Sequence, residues 1–251
     1  MRALQAFAAV VLLAVTTPAE SAERVVSLNL CTDQWLVMLA PEQVAGLTTL
    51  SRDPALSFVA KQAANLPVVH ASAEAVLALH PDLVLGARFG ARTTLALLER
   101  SGIRVERLDL PTDFPGIRAS LRATAALLGV PRRAESLITA MDAALPPPGP
   151  PLRALVWEPR GWTSGPGGLM DAVLRQAGMI DTGSGGRIGL EALLRHKPDL
   201  LVLPADTAGV SLATEMLTHP AVRDIPVRTI PPPLTICPGP FTAAAVERLV
   251  R

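Results

Sequence analysis

A chain of 251 residues with 49% apolar and 18% charged content is long enough for one large domain or two ordinary lobes, and too apolar to be a disordered tail. Its formal net charge of +1, with acidic and basic residues interspersed, lacks the clustered basic face of a nucleic-acid binder. Tyr is absent, so three Trp and five Phe are all the aromatic surface there is.

The N-terminus has the order of an export signal. Arg2 is the positive flank, residues 3–15 are apolar, and residues 16–22 bring Pro18 and small side chains. The apolar run is shorter than the ~20 residues of a membrane span. Residues 1–22 are therefore expected to be removed after Ser21 or Ala22. No cysteine follows closely enough for lipid attachment, so a soluble exported protein is expected. Cys31 and Cys237 are the only thiols. In an oxidising compartment such a pair permits one disulfide, with two free thiols as the alternative.

Residues 25–28 form a β-branched apolar run suited to a buried parallel strand. A polar loop over 29–33 leads to a helix from Gln34 to Leu39, and 44–47 make a second strand. A short extended piece is expected at 66–69 and a helix at 73–79, stopped by His80-Pro81. Strand 83–85, helix 92–101 with Gly102 as its stop, and strand 105–108 follow. Residues 114–128 and 132–145 are two amphipathic helices separated by Gly129-Val130-Pro131. The run 146–151, which is Pro-Pro-Pro-Gly-Pro-Pro, stops helix and strand alike and is the best boundary in the chain. The α/β rhythm then restarts: strand 152–157, glycine-rich loop 161–168, helix 169–177, helix 190–195, strands 200–203 and 227–230, and helix 241–250. Alternation of this kind implies parallel α/β layering.

One segment is written twice. Residues 72–83 and 189–200 align without a gap, so that Glu74 matches Glu191, Pro81 matches Pro198 and Asp82 matches Asp199. Each copy is a short helix, a Pro-Asp turn and a buried strand, with Glu near the helix start, where the dipole favours its charge. Two such carboxylates at one place in two lobes mark a face of a two-lobed object.

These features together resemble the periplasmic binding proteins of ABC importers for cobalamin, ferric siderophores and haem. The matching residues are Arg24-Val25-Val26-Ser27-Leu28, the run Leu77 to Leu85, Trp162-Thr163-Ser164-Gly165, and the repeated Pro-Asp turn. They span essentially the whole mature chain. The resemblance implies an α/β fold of two lobes, each with a central parallel sheet flanked by helices, joined by a single backbone helix. The expected division is 23–130 for the first lobe, 131–150 for the linker helix and proline-rich boundary, and 151–251 for the second. It further implies that Glu74 and Glu191 pair with arginines of the importer's two transmembrane subunits, and that a monomer captures a metal chelate between its lobes. A helical linker limits closure to modest rocking.

Ligands of open α/β sheets collect beyond the carboxyl ends of the strands. That rule selects Asn29 to Asp33, Ser51 to Asp53, His70 to Ser72 and Arg88-Phe89 in the first lobe. In the second it selects Arg160 to Ser164, Asp206 and 234–241. The candidate ligand contacts are Trp162, Arg88, His70, Phe89, Asn29, Cys31 and Cys237. No cofactor of the protein's own and no resident metal is expected, although the ligand brings its own cobalt or iron. The absence of Tyr and the scarcity of His and Met leave corrinoid, ferric siderophore and haem open. A related group carries bare zinc or manganese, which needs three or four converging His and carboxylate ligands. Of the four histidines only His70 falls on the cleft loops. An enzyme using the glycine-rich loop is the remaining alternative, but no Walker or dinucleotide fingerprint and no Gly-x-Ser-x-Gly turn is present.

Overall fold

The structure is a computed structural model that describes residues 22–158, 161–204, 219–220 and 222–251. The expected export signal therefore lies outside the described residues, apart from Ala22, as do Arg160 and Asp206.

The first lobe runs β1 (Val25–Ser27), α1 (Leu30–Leu39), β2 (Val44–Gly46), α2 (Ala60–Ala63), α3 (Ala73–Leu77), β3 (Leu83–Ala87), α4 (Arg92–Arg100) and β4 (Val105–Leu108). Its strands are all parallel, in the order β2-β1-β3-β4. Helices α5 (Phe114–Leu127) and α6 (Pro131–Ala144) follow, each with Pro in its first turn, where a missing N–H costs nothing. The second lobe runs β5 (Arg153–Val156), β6 (Trp162–Thr163), α7 (Leu169–Gln176), β7 (Ile180–Asp181), β8 (Gly186–Arg187), α8 (Leu190–His196), β9 (Leu200–Pro204), β10 (Val227–Ile230) and α9 (Thr242–Val250). Its parallel sheet has the order β7-β5-β9-β10. The two sheets therefore share one topology, with β5 in the place of β1 and β9 in the place of β3. A small antiparallel ribbon, β6 with β8, is added to the second lobe.

Alternation along the central strands explains the layering. Val25, Leu83 and Leu85 point into one apolar cluster, while Val26 and Val84 point into another with α3 and α4. In the second lobe Ala154, Val156, Leu200 and Val202 point one way, and Leu155, Leu201 and Leu203 point the other, toward Leu193 of α8. Side chains on a strand alternate with period two, so each sheet is buried on both faces. The inner faces of both sheets enter the same cluster, filled by α1, α5, α6, α7 and α9. The lobes thus share a core and are not merely strung on a linker. Trp35 of α1 is buried in that junction and donates from its indole Nε1 to the Pro238 carbonyl at 2.7 Å. Phe58 stacks on Phe241 with ring centroids 4.7 Å apart. A disulfide joins Cys31 to Cys237 across the same junction, with the Cα atoms 5.2 Å apart.

The doubled motif folds twice into one device. Arg24, just before β1, donates from Nη2 to the Leu79 carbonyl at 2.7 Å and from Nε to the His80 carbonyl at 3.3 Å. Arg153 at the start of β5 does the same to His196 and Lys197, again at 2.7 and 3.3 Å. In return the Asp82 carboxylate accepts from the Arg24 N–H, and Asp199 accepts from the Arg153 N–H. The residues before the two prolines, His80 and Lys197, both adopt left-handed backbone at φ 46° and 45°. Such a conformation is unfavourable outside glycine, and the guanidinium caps hold it in place. The Pro-Asp half of the repeat is therefore a helix-end clamp. The Glu half takes no part in it.

The structure refines the sequence expectation at several elements. Helix α1 begins at Leu30, four residues before Gln34, because Asn29 caps it: its side chain accepts from the Cys31 N–H at 2.9 Å. The extended piece expected at 66–69 pairs through one parallel bridge, Val68 to Leu47. The two-residue strands β6, β7 and β8 are too short to leave a periodic signal.

Candidate ligand cleft

The disulfide shows how the carboxyl ends of the two sheets face one region. Cys31 stands in the first turn of α1, directly after β1, and Cys237 in the segment after β10. The segments leaving β2, β3, β4, β5 and β10 carry large apolar side chains left exposed: Leu50, Phe89, Leu110, Trp162 and Ile236. Phe89 is 79% exposed and Trp162 48%. Apolar side chains left uncovered beyond the strand ends of both sheets are where a binding surface is sought.

On the first lobe Arg88 leaves the end of β3 and makes a two-point ion pair with Asp109 beyond β4, at 2.5 and 2.6 Å. The pairing raises the arginine pKa and lowers that of the aspartate. Both groups are solvent-exposed, so the pair sets geometry more than it stabilises. Arg88, Phe89, Arg92, Ala96 and Arg107 line a recess of about 440 Å³. His70 is exposed. Asn29 serves as the cap of α1 and is half-buried. The expectation that Cys31 and Cys237 contact ligand as thiols is corrected: both are buried and both sulfurs are spent in the disulfide.

On the second lobe a tight turn carries Trp162. The Glu158 N–H donates to the Trp162 carbonyl at 2.8 Å, and the Gly161 N–H to the Glu158 carbonyl at 3.1 Å. Gly161 has φ 77°, and a Cβ there would lie 2.8 Å from the Ile188 carbonyl oxygen, so only glycine fits. Ribbon β6–β8 then pairs Trp162 with Arg187. A Cβ on Gly165 would lie 2.7 Å from the Gly185 nitrogen. The glycine-rich loop thus serves close packing against residues 183–186, and its turn is fastened by Ser164 donating to Asp181 at 2.8 Å.

Beyond the carboxyl ends of β5, β9 and β10 lies an apolar recess of about 310 Å³, with Met170 and Ile236 among its walls and Glu158 on its lining. Desolvation holds the Glu158 pKa above the usual carboxylate value. The strand-end candidates of the second lobe begin at Arg160, two residues after Glu158, and do not reach Met170, which α7 contributes. The signal available was the charged residue placed directly after the buried strand 152–157.

Asp33 is the buried charge beside the cleft. Its carboxylate accepts from the Thr48 N–H at 3.2 Å and from the Thr48 hydroxyl at 2.5 Å. Burial outweighs these bonds and a further one from Ser27, raising the pKa from 3.8 to about 7. The folded state therefore keeps this proton to higher pH than the unfolded chain. The resulting stabilisation is full below pH about 4 and is lost as pH rises to about 7. Between pH 5 and pH 8 the wild-type protein should lose about 3 kcal/mol relative to Asp33→Asn in urea unfolding. A difference between the two proteins that does not change with pH contradicts this assignment.

Glu74 and Glu191 each occupy the second position of their helices, α3 and α8, and are exposed. Ser72 caps the first helix by accepting from the Ala75 N–H, and neither glutamate carboxylate makes a hydrogen bond or ion pair among the described residues. No three His, Cys, Asp or Glu side chains among the described residues come together as a metal site. No helix among them is long and apolar enough to cross a membrane.

Known structures place this arrangement. A periplasmic haem-binding protein from Pseudomonas aeruginosa is 26% identical, with 91% of each chain covered and a TM-score of 0.67. A protein from Staphylococcus epidermidis described as a possible iron-binding, periplasmic solute-binding protein has a TM-score of 0.74 at 17% identity, over 92% of this chain and 98% of its own. The periplasmic vitamin B12-binding protein of Vibrio cholerae has 0.67 at 18% identity, over 91% and 95%. No curated protein matches in sequence. The profile of the family described as periplasmic binding protein matches residues 25–226, most of the chain. With its two parallel sheets and apolar seam, the chain belongs to the periplasmic binding protein family.

Proposed function

We propose that the protein captures a small-molecule metal chelate between its lobes in the periplasm and delivers it to an ABC importer. Residues 1–22 act as the export signal, 23–130 and 151–251 as the lobes, and 131–150 as the connection. The observation that carries this reading is the set of uncovered apolar side chains on segments beyond the strand ends of both sheets. Trp162 and Phe89 provide aromatic faces for a planar or bulky chelate. Arg88, His70 and Asn29 provide polar contacts on the first lobe. The likeness to the Pseudomonas haem-binding protein supports a metal chelate as cargo, and corrinoid, ferric siderophore and haem are the three candidates. A haem would need an axial donor other than Tyr, since the chain has none.

A thermal-shift screen of the mature protein tests the proposal. A chelate present at a hundred times its dissociation constant stabilises the native state by about 2.7 kcal/mol, which raises the melting temperature by several degrees. At least one of haemin, cyanocobalamin, ferrioxamine B and ferric enterobactin should do so, and Trp162→Ala should weaken the effect. A protein whose melting temperature is unmoved by all four is not a chelate carrier of this kind.

A further inference from the structure

Among the described residues the walls of the second-lobe recess are mostly apolar, with Val156, Met170, Val202, Leu203, Ile230 and Ile236 in them. Glu158 is the single carboxylate on that lining among the described residues. Its backbone is fixed by the turn to Trp162, while among the described residues its carboxylate has neither a hydrogen-bond nor an ion-pair partner. In the free protein water reaches this group, because Glu158 is exposed at the mouth. A ligand that covers the recess removes that water. An ionised carboxylate closed off without a donor costs several kcal/mol, so the ligand must bring one or be rejected. The volume bounds the answer further. About 310 Å³ is at the lower end of the ~300–1,000 Å³ of pockets that enclose a small molecule, so the recess takes one arm or edge of a chelate.

We propose that Glu158 selects the cargo: the recess accepts an apolar arm of the chelate bearing an amide or ammonium N–H, and the Glu158 carboxylate accepts the hydrogen bond from it. This inference rests on the reading of the cleft as a chelate site. It favours ferric hydroxamates with a free ammonium group and corrinoids with peripheral amides. Chelates that present carboxylates or catecholates to the recess are disfavoured by like charge.

Dissociation constants of wild type, Glu158→Gln and Glu158→Leu for ferrioxamine B, cyanocobalamin, haemin and ferric enterobactin test it, with melting temperatures of the unliganded variants as the folding control. Wild type should prefer ferrioxamine B or cyanocobalamin. Glu158→Leu should lose about tenfold or more for that probe, and Glu158→Gln, which keeps a carbonyl acceptor, should lose less for cyanocobalamin. Neither substitution should weaken haemin or ferric enterobactin. A preference of wild type for haemin or ferric enterobactin overturns the inference and leaves chelate capture standing, as does equal affinity of wild type and Glu158→Leu for the donor-bearing probe. Failure of wild type to bind any of the four overturns both.

Discussion

Cells carrying Glu74→Ala together with Glu191→Ala should take up no ligand above background, while the purified double variant binds its chelate as tightly as wild type. The two carboxylates stand at equivalent positions of two copies of one motif, each exposed at the start of a short helix. They are free to act outward because the remainder of the motif is occupied inward. Arg24 and Arg153 close the helix ends, and Asp82 and Asp199 tie those ends to β1 and β5. A single exposed ion pair contributes ~0.2–1 kcal/mol, so affinity alone does not predict a complete loss. Orientation does. On the proposed function, one charge on each lobe would set the loaded protein in a single register over a two-fold symmetric importer, and losing both would remove the register. Each single variant should retain partial uptake. Full uptake by the double variant, at wild-type expression, would rule out the docking role of these residues.

Replacing Cys31 and Cys237 together by Ala should lower unfolding stability by about 5 kcal/mol at the chain-entropy limit, and by at least ~2 kcal/mol after relaxation. The bond closes a loop across a sequence separation of 206, long enough for constraint of the unfolded chain to be large. That loss is a substantial share of the ~5–15 kcal/mol of a typical domain. The variant should still fold, since Trp35, the Phe58–Phe241 stack and the shared core hold the junction independently. Urea midpoints of wild type and variant measure the loss. A midpoint shared by the two proteins, or two free thiols in the native wild-type protein, contradicts the cross-link.

The duplicated architecture was legible because the repeat has a constant offset and β3 and β9 are continuous apolar runs buried on both faces. Period and composition report such strands directly. The shared core was not legible. It depends on Val25, Leu83, Ala154 and Leu200 facing the same cluster, and alternation fixes which residues share a face without fixing what that face meets. The pairing of Cys31 with Cys237 was open for the same reason, because sequence separation carries no distance. Asn29 was read as loop although an Asn before an apolar run is a standard cap signal. The strand-end rule selects Trp162, Arg88 and Phe89, and the structure leaves all three exposed beyond strand ends. Glu158 escaped because its chemistry lies in the apolar walls drawn around it from α7, β9 and β10, which are distant in sequence.

A fluorescence titration of the mature protein with the chelate that raises its melting temperature most tests the central claim directly. Trp35 and Trp157 are buried, and Trp162 alone is exposed. Capture at the seam should quench a saturable part of the emission at one ligand per chain, the quench should be largely lost in Trp162→Phe, and the chelate should be recovered chemically unchanged. Binding that leaves the Trp162 emission untouched, or recovery of a converted product, would contradict capture between the lobes.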